Sequence, residues 1–286
     1  MNHSDLTNMV TACEHIWVPR WFREFSNPDG GFFERLNSVG QPISLPRRVL
    51  TQCRQVMVYA TYFIRHPDTH IAQKLKESFI FLTTTYRSPY VGGFYFSHDD
   101  THQTQDTTYD LYAHSFVMLA CAAYYKAFGD PNALIIAQNT RDFITRHFRA
   151  PQPFSGFVEA LDQDLTPLPR TRRQNPHMHL MEACLVMFET SQDSAYLDLA
   201  DELFGLFTSY FLVDGTLREF FSDDLTPHPD TGQTVESGHH AEWVWLLDRY
   251  HTLKGHNNPA LNRVITTHKN TLFTWVAIYG FDPVHG

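Results

Sequence analysis

The chain has 286 residues, 43% hydrophobic and 14% aromatic, which is enough for a large globular core. Its formal charge is −9, from 22 basic against 31 acidic residues. That balance argues against a nucleic-acid or anionic-membrane partner, because both need clustered Lys and Arg.

Apolar residues recurring at i, i+3, i+4 and i+7 predict helices over 5–26, 45–65, 69–86, 107–128, 131–148, 176–191, 194–212, 237–254 and 258–278. Ser44, Asp68, Asp130 and Asp193 stand where N-caps belong, and Pro131 falls in a first helical turn. Four related loops separate the helix pairs: GGFFERLNSVG (Gly30–Gly40), GGFYFSHDD (Gly92–Asp100), SGFVEALDQD (Ser155–Asp164) and GTLREFFSDD (Gly215–Asp224). Phe32, Phe94, Phe157 and Leu217 hold one slot, so the steps are 62, 63 and 60 residues. A fixed period of this size marks a repeat architecture, here a loop, a helix, a short turn and a second helix. The alternation in Gly93–Ser97 suits short strands or hairpins.

Phe281–Gly286 reads as the opening of a fifth loop, so the expectation is a C-terminally incomplete ring. No linker-like tract interrupts residues 1–286, and a single domain is expected. An open solenoid and a closed ring of hairpins both fit the period. Conspicuous polar residues fall at the starts of helices that follow the loops, which would gather them at one end of a ring. The expected fold is therefore all-α, an (α/α) barrel of helical hairpins with short β-hairpin loops.

Three constellations could carry chemistry. In Gln174–Glu182, Pro176 suits a first turn with Asn175 as N-cap, and Asn175, His179 and Glu182 share one helical face. Such a face is costly to bury without partners, although a hydrogen-bonded structural cluster is the competing reading. In Glu236–Leu247, His239, Glu242 and Trp245 stand at i, i+3 and i+6. A carboxylate beside an imidazole orients it and raises its basicity, and a tryptophan supplies a flat wall for a sugar ring. His240 and Trp243 face elsewhere and read as packing. In Arg47–Arg54, Arg54 shares a side with Arg47, Leu50, Thr51 and Val58 and needs a carboxylate or a ligand oxygen. Tyr109 and Tyr112 read first as core, with Tyr112 kept as a candidate substrate contact.

His177, His179, Glu182, His239 and Glu242 permit a metal reading, but no recognised zinc pattern is present and none is expected. Cys13, Cys53, Cys121 and Cys184 form no CxxC pair and read as reduced core thiols. No window approaches roughly 18 consecutive apolar residues, and MNHSDLTNMV lacks a signal-peptide pattern. A soluble cytoplasmic protein without cofactor follows as the expectation.

These residues resemble the N-acylglucosamine 2-epimerase superfamily, which includes cellobiose 2-epimerases and D-mannose isomerases. The resemblance runs from the first GGF loop through Gln52-Cys53-Arg54 to Gly238-His239-His240-Ala241-Glu242-Trp243, and Gln174–Glu182 looks most like the mannose-isomerase branch. It implies an (α/α)6 toroid that interconverts sugars at C1 and C2 without a metal, through a cis-enediolate. Arg54 would bind the oxygen on C1 or C2, Asn175 and His179 would hold hydroxyls, and His239 would be an acid/base oriented by Glu242. Trp245 would pack near the ring. The partner implied is a mono- or disaccharide, and the state a monomer or homodimer. Nine helices are read where the family has twelve, and the family's second acid/base histidine lies in a last repeat beyond this chain. His285 is no substitute for it. Beside the isomerase stand a 2-epimerase and an inactive carbohydrate-binding remnant.

Overall fold

The computed structural model describes residues 3–255 and 257–282. The chain divides into two compact units, residues 1–143 and 144–286. His285 and most of the loop opening read at the C-terminus lie outside the described residues.

The first unit begins with α1 (His3–Ala12), a π-helical turn at Cys13–Trp17, and α2 (Val18–Phe25). The π turn precedes Pro19, whose missing N–H leaves the turn before it without its i→i−4 bond. After the first loop come β1 (Arg47–Arg48), α3 (Val49–Arg65) and α4 (Thr69–Thr85). Then follow β2 (Ser97–His98), β3 (Thr104–Asp106), β4 (Tyr109–Asp110) and α5 (Leu111–Phe128). β1, β2 and β3 form a small antiparallel sheet, with Arg47 opposite His98 and Ser97 opposite Asp106. α3 packs on α4 and α5, burying Val49, Cys53, Val56 and Ala60, and Phe79 stacks on Tyr124 at 3.8 Å between centroids. Residues 113–124 of α5 are all buried, as a helix apolar on every side requires.

α6 (Pro131–His147) spans the division. The second unit holds β5 (Ala160–Leu161), β6 (Arg172–Arg173), α7 (Gln174–Ser191) and α8 (Ser194–Leu206), the last continued by a π turn at Phe207–Phe211. β7 (Leu212–Val213), β8 (Thr216–Leu217), β9 (Phe220–Phe221), α9 (Ser237–Lys254) and α10 (Pro259–Tyr279) complete it. α7 packs on α8 and α9, and α9 on α10. β6 pairs with β9, Arg172 opposite Phe221. No helix among the described residues is long and apolar enough to cross a membrane.

One device ties every loop to its helix. The backbone N–H of the slot residue donates to a side chain in the first turn of the next helix: Phe32 to Gln52 Oε1 (2.8 Å), Phe94 to His114 Nε2 (3.0 Å), Phe157 to His177 Nε2 (3.1 Å) and Leu217 to His240 Nε2 (3.1 Å). In the three histidines, Nδ1–H donates to the carbonyl four residues back, of Asp110, Arg173 and Glu236. Each ring must be neutral to accept at Nε2. Burial pushes His114 down to about 4 and His177 down to about 3, the latter helped by the nearby Arg172 charge. Gly156, at φ +76°, lets this loop approach; a Cβ there would sit 2.9 Å from Arg172 Nη2.

Asp68, Asp130 and Asp193 accept backbone N–H groups at their helix starts, as the sequence reading expects. Ser44 does not: it bonds Asp100, and α3 starts at Val49 because Arg47–Arg48 pair as a strand. Nor is Asn175 the cap of α7. That helix already begins at Gln174, so Arg173 takes the cap position without a side-chain cap bond, and the Gln174 N–H donates to the Glu219 carbonyl (3.2 Å).

Candidate active site

The densest polar arrangement in the second unit gathers on His239, in the first turn of α9. Its Nδ1 lies 3.0 Å from Glu219 Oε2, contributed by the loop between β8 and β9. From α7, Gln174 Nε2 donates to the same Oε2 at 3.0 Å and lies 3.1 Å from Nδ1. Trp243 Nε1–H donates to Gln174 Oε1 at 2.8 Å, which fixes the amide with its NH2 toward Glu219. A carboxylate accepts, so the ring proton in this arrangement is on Nδ1, and Nε2 remains for other chemistry. Glu236 Oε2 stands 3.6 Å from Nδ1. Burial alone would lower the His239 pKa, but the Glu219 hydrogen bond and the charges of Glu219, Glu236 and Glu242 outweigh it and leave the imidazole above its ordinary value.

Sequence reasoning expects Glu242 to orient His239. In the structure that place belongs to Glu219, because the first turn of α9 points Nδ1 back at the loop, while Glu242 is exposed and acts only as the weakest of the three charges. Trp245 is 48% exposed, with the Arg249 guanidinium 5.7 Å from its ring centre. His179 Nδ1 and Glu182 Oε2 are 2.8 Å apart, so Glu182 meets the histidine of its own stripe. Asn175 is half-buried, and among the described residues its Oδ1 has no hydrogen-bond partner. His177 and His240 are loop anchors, which removes His177 from any ligand set.

In the first unit, Arg54 is exposed, donates to the Tyr112 hydroxyl at 2.7 Å and lies 4.5 Å from the centre of the Phe116 ring. Among the described residues no carboxylate pairs with it, so a hydroxyl fills the place where a carboxylate or ligand oxygen was expected. Arg47, on the same side in sequence, is instead buried and donates to the Gly30 carbonyl.

Glu219, Glu236 and His239 offer ligand atoms within 4.8 Å of one another. A cation between Glu219 Oε2 and His239 Nδ1 would face the Gln174 amide protons, which Trp243 holds in that direction. The donor set therefore fits a hydrogen-bond cluster better than a metal centre.

A family model described as N-acylglucosamine 2-epimerase (GlcNAc 2-epimerase) matches residues 31–283. The chain belongs to that family. A mannose-6-phosphate isomerase of Rhizobium meliloti (strain 1021) is 33% identical over 245 residues, covering 83% of this chain and 62% of the relative. The chain thus spans about six-tenths of that relative's length. Among solved structures, a cellobiose 2-epimerase from Bacillus thermoamylovorans B4167 superposes with a TM-score of 0.87 at 17% identity, covering 97% of this chain and 73% of that one. A D-mannose isomerase does so with a TM-score of 0.79 at 21% identity, covering 92% and 68%. Likenesses below 25% identity speak to fold alone, and the fold class is the (α/α)6-type toroid of helical hairpins.

Sequence reasoning missed Glu219 and gave Gln174 no role, because both lie on elements other than the helix that carries His239. A signal was nonetheless present: Glu34, Glu159 and Glu219 each follow the loop slot by two residues.

Proposed function

We propose that this chain serves an aldose–ketose isomerase of the D-mannose/D-fructose type, working by histidine acid/base catalysis through a cis-enediolate. The observation that supports this reading is His239: its Nδ1–H faces Glu219, and its raised basicity comes from flanking carboxylates. His239 Nε2 takes the proton from C2 of the open-chain sugar. The resulting enediolate is reprotonated at C1 to give the ketose, with the hydroxyl proton passing from O2 to O1. Asn175 and the His179–Glu182 pair of the second unit offer hydroxyl contacts to a sugar. The three carboxylates near His239 suit a neutral sugar better than a phosphorylated one. The name of the mannose-6-phosphate isomerase relative points the same way as to reaction class.

Reprotonation at C2 from the opposite face gives the epimer, and membership of a family described as 2-epimerases keeps that outcome as the second reading. Proton NMR of D-mannose in heavy water with the purified chain tests both. Fructose formation with loss of the C2 proton signal supports the isomerase, and exchange giving only glucose supports the epimerase. Saturable sugar binding without exchange leaves a carbohydrate-binding protein, and a faster reaction on mannose 6-phosphate sinks the neutral-sugar assignment.

A further inference from the structure

We propose that Glu219 is the positioning residue of His239, freed for that role by Glu236 standing where the first and third repeats carry an arginine, and held by Gln174 and Trp243. Aligned on their loop anchors, the repeats share a glutamate–arginine clamp in two of the four. In the first repeat the anchor is Gln52, and Arg48 stands four residues before it. Glu34 accepts from the Arg48 N–H (2.9 Å), from Arg48 Nε (2.7 Å) and from Thr51 Oγ1 (2.9 Å). In the third, the anchor is His177, Arg173 stands four before it, and Glu159 accepts from the Arg173 N–H (2.8 Å) and Nε (2.7 Å). The second repeat has Phe96 in the glutamate's slot and Asp110 in the arginine's, and makes no such clamp.

The fourth repeat keeps the glutamate, Glu219, but has Glu236 four residues before its anchor His240. An acid cannot clamp an acid. Glu219, 3% exposed, turns to His239 and Gln174 instead. His239 stands one residue before the anchor, as Thr51 does in the first repeat, so a donor at that position already reaches the equivalent carboxylate elsewhere in the chain. Among the described residues Glu219 Oε1 has no hydrogen-bond partner, and the bonding runs through Oε2. Trp243, fully buried, prevents the Gln174 amide from turning its oxygen toward the carboxylate. The groups that face His239 are Glu219 from the loop, Gln174 from α7, and Glu236, His240 and Glu242 from α9.

The inference rests on the acid/base reading of His239, but its test needs no turnover. Ring-nitrogen NMR of 15N-histidine-labelled chain reads the tautomer and titration of His239 directly, assigned by its loss in His239→Gln. Glu219→Gln keeps an acceptor for Nδ1–H and should lower the titration midpoint alone, whereas Glu219→Leu removes the acceptor and should also shift Nδ1 from the protonated toward the unprotonated position. Glu236→Arg tests the repeat argument on a half-exposed side chain: it rebuilds the clamp, draws Glu219 away, and should shift His239 the same way. Glu236→Gln removes the charge without building a clamp and should leave the tautomer unchanged. With thermal unfolding confirming that the variants fold, a His239 whose midpoint is unmoved in Glu219→Gln and whose Nδ1 stays protonated in Glu219→Leu overturns the assignment. The same result in Glu236→Arg overturns the account of how Glu219 was freed. Where the chain turns sugar over, Glu219→Gln should lower kcat by about ten- to a hundredfold with little change in KM, and move the acid limb of the kcat profile to lower pH. Spectra that shift as expected in a chain that never exchanges C2 protons would sink the isomerase reading and leave the positioning of His239 in place.

Discussion

Replacing His177 by glutamine should make the chain more resistant to acid without loosening its third loop. His177 accepts the Phe157 N–H at Nε2, which requires a neutral ring, and burial holds its pKa at about 3. Unfolded, the same side chain titrates near 6.5. A depressed folded pKa means that its stabilisation is present above about pH 6.5 and is lost progressively as pH falls toward the folded value. Between pH 7.5 and 5.0 the unfolded state gains almost one proton that the folded state refuses, at about 1.4 kcal/mol per pH unit once past 6.5, or about 2 kcal/mol in all. Glutamine does the same anchoring job at position 52, accepting the Phe32 N–H, and does not titrate. His177→Gln should therefore change stability little at pH 7.5 and lose about 2 kcal/mol less than the parent on going to pH 5.0. His177→Leu also abolishes the acid loss, but it strands a buried N–H and should cost about 1–3 kcal/mol at both pH values. Urea unfolding followed by tryptophan fluorescence at the two pH values measures this. An acid loss in His177→Gln equal to that of the parent would refute the neutral-anchor argument.

Three further outcomes are expected. His239→Ala should abolish C2 proton exchange while leaving the circular dichroism spectrum close to the parent's, and undiminished exchange would remove His239 from the chemistry. Arg54→Ala should weaken sugar binding and turnover together, on the order of tenfold or more for loss of a charged hydrogen-bond donor; isothermal titration and initial rates check it, and parent-like values would make Arg54 structural. Gly156→Ala should cost about 1–3 kcal/mol in thermal unfolding, from its positive φ and the crowding of Arg172. A midpoint equal to the parent's would show that the loop can shift to admit a Cβ.

Much of the helical framework is legible in the chain because its cause is local. The 3.6-residue pattern and the aspartate caps at Asp68, Asp130 and Asp193 place those helices nearly where they occur. Errors fall at helix starts that neighbouring strands control, as at Val49 and Gln174, where ladder hydrogen bonds compete with the first turn. Within the site, His239 stands out in sequence because its neighbours on α9 share a face. Its carboxylate does not, because Glu219 is 20 residues away and reaches it only when the loop folds back on the helix.

The primary structure alone thus determines the repeat, its period, the helical hairpins and the residue types able to move a proton, since all of these are written in spacings of a few residues. Tertiary structure decides which side chains work together. Only folding brings Trp243 to Gln174 across 69 residues and Gln174 to Glu219 across 45, burying them so that each donor has one acceptor in reach. It also makes His114, His177 and His240 neutral loop anchors while His239, next in sequence to His240, is left above its ordinary basicity. The reason is physical: an imidazole's state follows from the desolvation and the charges around it, and these come from parts of the chain distant in sequence.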